Sequence, residues 1–170
     1  PQHPEDTRIV AVDIKTSALG VMRDGGYAEY CLVPEKQCFV VPDGIDDILG
    51  TQVETLATVV NGMNTLQMLP YDYVMILGFG PIGYLFAQFA KNIAAKVAVT
   101  EIDPFRIQVA KECGLTVWNP NEVDVVQKIT EFTYGRKADI VIEATGNALW
   151  QALECVTPGG KVLPFGMDSS

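Results

Sequence analysis

The chain has 170 residues, of which 48% are hydrophobic and 19% are charged, and its formal net charge is −9. This length suffices for one well-formed core, or for one domain with part of another, and the composition is that of a globular protein. Because nucleic acids and anionic lipid surfaces attract positively charged proteins, the negative charge argues against both as partners.

The residues given show no pattern typical of a transmembrane segment or of a signal peptide. No apolar stretch approaches the roughly 20 residues that cross a bilayer, and the first residues lack the charged-then-apolar pattern of a signal peptide. The cysteines are too widely spaced for a Cys-x-x-Cys pair, so we expect reduced and mostly buried thiols. They are Cys31, Cys38, Cys113 and Cys155. A cytoplasmic protein without a membrane segment is the resulting prediction.

The first third of the chain differs in character from the rest. Segments Tyr27–Pro34 and Phe39–Pro42 are rich in aromatic and branched residues, which favour strands. Residues 1–55 are therefore predicted to be part of a β-rich domain. Apolar residues at helical spacing then predict a helix over Asp46–Leu69, which joins this part to the remainder.

Strand and helix patterns alternate from Tyr73 onward, which predicts a parallel sheet with helices on both faces. The predicted strands are Tyr73–Leu77, Lys96–Thr100, Thr116–Trp118, Ala138–Glu143 and Lys161–Gly166, and the predicted helices are Pro81–Ile93, Pro104–Cys113, Val123–Thr133 and Ala148–Val156. The fold class is α/β, a Rossmann-type doubly wound parallel sheet over residues 56–170. Five strands are one short of the usual six, so we expect a domain truncated before its sixth strand.

A glycine-rich turn follows the first of these strands. Gly78, Gly80 and Gly83 form a G-x-G-x-x-G pattern, and Pro81 is suited to the first position of the helix that continues through Ile82. Such a turn lets the backbone approach a pyrophosphate and places free N–H groups at a positive helix end. Strand, turn and helix together predict a dinucleotide site, whereas the glycines alone would also fit an ordinary loop.

An acidic residue, Glu101, ends the second strand of this unit, eighteen positions past Gly83. An acid at about this distance accepts hydrogen bonds from the adenosine ribose, and its charge repels a 2′-phosphate. NAD is therefore predicted rather than NADP. Arg106 offers a cation for that phosphate in one interpretation and is a solvated helix residue in another.

Two further turns are expected at the carboxyl edge of the sheet, where ligands bind in open α/β folds. Thr145 and Gly146 follow the fourth strand, and Phe165 and Gly166 close the fifth. We assign all four to the cofactor site, although turn chemistry alone would explain both glycines.

Several of these segments together resemble one enzyme family. Gly25–Tyr30 (Gly-Gly-Tyr-Ala-Glu-Tyr), Val41–Gly44, the turn Gly78–Gly83 and Glu143–Gly146 occur in order, and the match runs from about Leu19 to Met167. The chain is similar to the medium-chain zinc-dependent alcohol dehydrogenases, in particular to their polyol (sorbitol) and threonine dehydrogenase branch. The resemblance implies a partial GroES-like catalytic domain at residues 1–55 and hydride transfer between NAD and a secondary alcohol or polyol, with zinc as Lewis acid.

The resemblance also implies roles for single residues. It places Thr58 beside the nicotinamide, Arg106 alongside the adenine and the backbone of Phe165 and Gly166 near the carboxamide. Glu54 corresponds to a carboxylate that faces the metal, although an ordinary helix-surface glutamate is an equal alternative. The family's other zinc ligands have no counterpart here, because no cysteine precedes Cys31 and no Gly-His-Glu motif occurs. The catalytic residues are therefore unknown, and the sole histidine, His3, fits a loose terminal residue better than a ligand.

A four-cysteine zinc lobe is missing from the place where the family has one. Arg8–Ile14 resembles the strand before the lobe, yet Lys15–Gly20 leads directly into the sequence after it. Either the protein lacks this lobe or the chain joins separate segments. We expect the chain alone to bind NAD without dehydrogenase activity, and a homo-oligomer in the full-length form. The alternatives are a non-enzymatic NAD-binding module and a zinc-free medium-chain reductase.

Overall fold

The computed structural model describes residues 19–94 and 96–167, with every side chain among them except that of Lys36. The chain divides into two compact units, Pro1–Glu54 and Thr55–Ser170. The predicted strand at Arg8–Ile14, the terminal His3 and the junction up to Ala18 lie outside the described residues. The predicted division into a catalytic domain, residues 1–55, and a dinucleotide-binding domain, residues 56–170, stays a prediction.

The described part of the first unit contains little regular structure. It has a 3-10 helix, Glu35–Gln37, and a short helix α1, Asp47–Gly50, whose N-cap Asp46 accepts a hydrogen bond from the Leu49 N–H at 2.8 Å. The strands predicted at Tyr27–Pro34 and Phe39–Pro42 are absent between residues 19 and 54, so those predictions are wrong. Aromatic and branched residues form a strand only when a neighbouring strand pairs with them, and here they are largely exposed.

The long helix predicted over Asp46–Leu69 is interrupted. Helix α1 ends at Gly50, and α2 runs separately over Val53–Leu66. It stops because Gln67 takes a left-handed conformation, with φ +47°. A Cβ at Gly62 would lie 2.9 Å from the ring of Phe86, so glycine permits close packing of α2 at this point.

The second unit is a parallel sheet of five strands among the described residues. The strands are β1 Tyr73–Leu77, β2 Lys96–Thr100, β3 Thr116–Trp118, β4 Ala138–Glu143 and β5 Val156–Pro164, in the order β3-β2-β1-β4-β5. The connecting helices are α3 Pro81–Lys91, α4 Pro104–Glu112, α5 Val125–Phe132 and α6 Leu149–Cys155. The predicted α/β fold is confirmed, and the strand order reverses between β1 and β4.

Helices cover both faces of this sheet, and alternate residues of the strands pack into two separate hydrophobic cores, one on each face. Val74 and Ile76 of β1 pack on one face with buried residues of α2, α3 and α4. Met75 and Leu77 pack on the other face with buried residues of α5 and α6. The strands are apolar on both sides because both sides are covered. The carboxyl edge of the sheet is left as the place where loops can form a site.

The exposure of the cysteines differs from the prediction. All four cysteines are free, but Cys31 and Cys38 are exposed and only Cys155 is fully buried, so the expectation of mostly buried thiols is wrong. Both exposed residues lie in the first unit, where little structure covers them.

No helix within residues 19–94 and 96–167 is long and apolar enough to cross a membrane.

Candidate dinucleotide-binding site

The turn after β1 depends on two of its glycines for its shape. Gly78 has φ +91°, and its N–H donates to the carbonyl oxygen and the hydroxyl of Thr100 at 3.1 and 3.2 Å. A Cβ on Gly83 would lie only 2.0 Å from the carbonyl oxygen of Gly78. Helix α3 can therefore begin directly against the end of β1 only because position 83 has no side chain.

The middle glycine of the turn has a different role. Gly80 has φ −68°, which any residue adopts, and a Cβ added there would meet nothing nearer than Nη1 of Arg106 at 3.6 Å. The space in front of Gly80 is thus open to a ligand. The N–H groups of Gly80, Ile82 and Gly83 have no hydrogen-bond acceptor among the described residues, and Pro81 carries no N–H. A pyrophosphate fits this space, since free N–H groups at a helix N-terminus bind anions.

Glu101 is held firmly beside this turn. It is only 7% exposed, and its carboxylate accepts hydrogen bonds from the N–H groups of Phe79 at 3.0 Å, Ile102 at 2.7 Å and Asp103 at 3.0 Å. Arg106 lies 3.8 Å from the same carboxylate. Two carboxylate oxygens accept about four hydrogen bonds, so three backbone donors leave capacity for a ribose hydroxyl.

The opposite side of the crevice is formed by the turns after β4 and β5. The methyl group of Thr145 lies 2.6 Å from where a Cβ of Gly78 would stand, so Thr145 packs directly on the glycine turn. The N–H groups of Phe165 and Gly166 both donate to the carbonyl oxygen of Glu143 at 2.8 Å. A Cβ on Gly166 would lie 2.1 Å from the nitrogen of Gly146. The structure thus brings these turns together at the carboxyl edge, where β1 and β4 are neighbours.

The contribution of one residue of this site, Glu143, was not predicted from the sequence. From the sequence, Glu143 is predicted only as part of the motif Glu143–Gly146, yet its side chain is 2% exposed and accepts hydrogen bonds from both residues of the following turn. The available signal was an acid at the end of a buried strand immediately before a Thr-Gly pair.

Two predicted residues on α2 are not joined to this crevice by any described hydrogen bond. The partly buried Thr58 donates its hydroxyl to the carbonyl of Thr55 at 2.8 Å, as helix threonines commonly do. Glu54 is exposed. Within the described ranges no group of three or more histidine, cysteine, aspartate or glutamate residues could hold a metal ion, so the described residues do not by themselves supply a complete zinc site. Both roles stay predictions.

Comparison with known proteins decides the family. The sequence model of the zinc-binding dehydrogenases matches residues 81–170, which is more than half of the chain. The chain belongs to this family. The zinc-binding dehydrogenases are oxidoreductases, so the resemblance inferred from the sequence is confirmed at that level.

Relatives of this zinc-binding dehydrogenase chain include L-threonine 3-dehydrogenases. That of Marinomonas sp. (strain MWYL1) is 31% identical over 157 residues, covering 90% of this chain and 46% of that protein. That of Pyrococcus horikoshii is 37% identical over 158 residues, covering 89% of this chain and 44% of that protein. The chain thus spans about half the length of the curated relatives it matches.

Solved structures of similar proteins have the same architecture. A protein of Sinorhizobium meliloti 1021 described as a zinc-binding dehydrogenase, solved with NADP, has a TM-score of 0.78 and 34% identity, covering 90% of this chain and 48% of that one. A structure described as a short chain alcohol dehydrogenase of E. coli CFT073, complexed with NADH, has a TM-score of 0.80 and 27% identity, covering 90% and 46%.

Proposed function

We propose that this chain provides the NAD-binding part of an oxidoreductase that transfers a hydride between NAD and a secondary alcohol or polyol. The observation that carries the proposal is the open space at Gly80, with unpaired N–H groups at the start of α3 and the carboxylate of Glu101 beside it. When bound, NAD supplies the carbon that accepts the hydride.

The residues of the chain bind and orient this cofactor. The N–H groups of Gly80, Ile82 and Gly83 hold the pyrophosphate, and Glu101 accepts a hydrogen bond from the adenosine ribose. Because the adenosine lies on the β2 side of the crevice, the nicotinamide half extends toward the turns after β4 and β5. There the backbone of Thr145, Gly146, Phe165 and Gly166 supports it.

The charge of Glu101 supports NAD over NADP. This carboxylate is buried and fixed by three backbone donors, so it cannot turn away from a 2′-phosphate. Arg106 would stabilise such a phosphate, but its guanidinium already lies 3.8 Å from Glu101. The similar structures with NADP and with NADH show that relatives of this architecture hold either cofactor. The difference must then come from side chains such as these.

The substrate and zinc belong to the longer protein in this proposal. The relatives are named L-threonine 3-dehydrogenases, and L-threonine carries a secondary hydroxyl at carbon 3. We propose residues 1–55 as part of the catalytic domain and residues 56–170 as the cofactor domain. Zinc, with Glu54 as a ligand, is proposed for the full-length protein, in which the remaining ligands lie beyond the described residues. A homo-oligomer and a cytoplasmic location are proposed for it as well.

Titration of the purified chain with NADH and NADPH tests cofactor binding directly. We expect the fluorescence of NADH to report binding that is about tenfold tighter than that of NADPH, since one buried charge next to a phosphate is worth at least one decade. Folded chain that does not bind NADH would refute the proposal. Equal affinity for the two cofactors would refute the assignment of NAD alone.

Activity is tested on the full-length protein rather than on this chain. NADH formation from NAD would be followed with L-threonine, secondary alcohols and polyols, before and after removal of metal with a chelator. Metal-dependent turnover supports the proposed reaction. Turnover that resists the chelator would favour a zinc-free reductase, and NAD binding without any turnover would favour a non-enzymatic module.

A further inference from the structure

The buried carboxylate of Glu143 has no role in the function proposed so far. It is the last residue of β4 and only 2% exposed. Its Oε1 accepts hydrogen bonds from the N–H groups of Thr145 at 2.8 Å and Gly146 at 2.9 Å, and Oε2 accepts from Gly146 at 3.1 Å. The Thr145 hydroxyl also donates to Oε1. All of its donors therefore lie in one turn of the crevice.

Burial of a carboxylate is costly unless protein hydrogen bonds replace those that it made to water. A turn can form without a buried carboxylate beneath it. What the carboxylate adds is a fixed geometry. It holds Thr145 with the methyl group against Gly78, and it holds Gly146 in a left-handed conformation with φ +91°. The main-chain carbonyl of Glu143 accepts the N–H groups of Phe165 and Gly166. Both turns on this side of the crevice are thus attached to Glu143.

The two halves of the crevice use different residues. Gly80, Glu101 and Arg106 lie on the β2 side, and none of them forms a hydrogen bond or ion pair with Glu143 in the described structure. A dinucleotide lies across the point where the strand order reverses, here between β1 and β4. The side that Glu143 organises is therefore the side opposite the adenosine.

We propose that Glu143 is a positioning residue for the nicotinamide half of the dinucleotide. It acts through Thr145 and Gly146 and does not touch the cofactor itself. This inference rests on the proposed NAD-binding function. Loss of the carboxylate lets the Thr145–Gly146 turn move relative to Gly78, so the nicotinamide half loses its support while the adenosine half keeps its own.

The test compares two ligands on the purified chain. In Glu143→Gln, an NH₂ group replaces one carboxylate oxygen and faces N–H donors, so at least one hydrogen bond is lost. We expect the Kd for NADH to rise about tenfold, as for loss of a charge-assisted hydrogen bond, and the Kd for ADP to change less than about twofold. ADP carries the adenosine and both phosphates but no nicotinamide. Glu154→Gln on α6, at an exposed glutamate, is the matched control and should leave both constants unchanged.

A second variant keeps the test decisive if Glu143→Gln fails to fold by circular dichroism. Thr145→Val retains the methyl contact with Gly78 but removes the hydroxyl donor, so the same selective weakening of NADH binding is expected at about threefold. Equal weakening for NADH and ADP, or none, in the variants that fold would overturn the inference. Wild-type chain that does not bind NADH at all would overturn the proposed function, and the inference with it.

Discussion

Replacing Gly80 and Gly83 by alanine, one at a time, should separate cofactor binding from stability within a single turn. A Cβ at position 83 would lie 2.0 Å from the carbonyl oxygen of Gly78 and 3.0 Å from its carbon. Both are backbone atoms, so the strand and the helix must move apart by more than about 1 Å to restore ordinary contact. We expect a loss of about 3 kcal/mol, the upper end for overpacking, and a Tm lower by about 6 to 12 °C for a chain of this size.

Position 80 should behave in the opposite way. Its Cβ would meet only Arg106, at 3.6 Å, so the folded chain accommodates it. The weaker helix cap and the lower entropy of the unfolded chain roughly cancel, and the Tm should stay within about 2 °C of the wild type. The methyl group would occupy the space proposed for the pyrophosphate. We expect the Kd for NADH to rise about fivefold to 150-fold, from an overpacking cost of about 1 to 3 kcal/mol.

Thermal unfolding followed by circular dichroism and NADH titration on the same samples would measure both effects. Gly83→Ala that melts with the wild type would refute the packing argument. Gly80→Ala that binds NADH with unchanged affinity would show that the cofactor does not approach the backbone at this turn.

Two further predictions concern charge and pH. Glu101→Ser should raise the ratio of the Kd for NADH to the Kd for NADPH by about tenfold or more, because the repulsive charge is removed and Arg106 is released. Glu112→Ser, at an exposed glutamate of α4, is the control in the same titration. Burial raises the pKa of the Cys155 thiol from 9.0 to about 11, so the folded state holds this proton more tightly. The contribution of this protonated thiol to the free energy of unfolding is complete below pH 9.0. It is lost as the pH rises from 9.0 through about 11. In urea unfolding, the stability difference between wild type and Cys155→Ala should therefore narrow over that interval, and a constant difference would contradict this assignment.

Much of the sheet could be predicted because its signals are local. The apolar run Tyr73–Leu77, the glycine turn and Pro81 at the start of α3 all lie within one short segment, and each favours the same structure. The first residue of strand β5 was not predicted correctly from the sequence, since Pro158, Gly159 and Gly160 indicate a turn. The structure instead contains an irregularity within the strand, where Ala138 pairs with Val156 and Ile140 pairs with Lys161. Partner strands, rather than local preference, decided where β5 begins.

The candidate site divides in the same way. The positions of Gly80 and Glu101 follow from spacing along the chain, because the strand-turn-helix-strand order brings them to one edge. The role of Glu143 does not, since it depends on how the turns after β4 and β5 pack against Gly78. Likewise, strand propensity at Tyr27–Pro34 could not reveal that no partner strand is present among residues 19–54.

The contact between Thr145 and Gly78 joins segments that are far apart in sequence. The crevice consequently exists only after β1 and β4 have paired, and an unfolded chain offers no equivalent surface. A ligand of this crevice thus selects the folded ensemble by mass action, adding about 2.7 kcal/mol when its concentration is a hundred times Kd. The abundance of the dinucleotide in the surroundings would then set how long the polypeptide survives proteolysis, in addition to how often the site is filled.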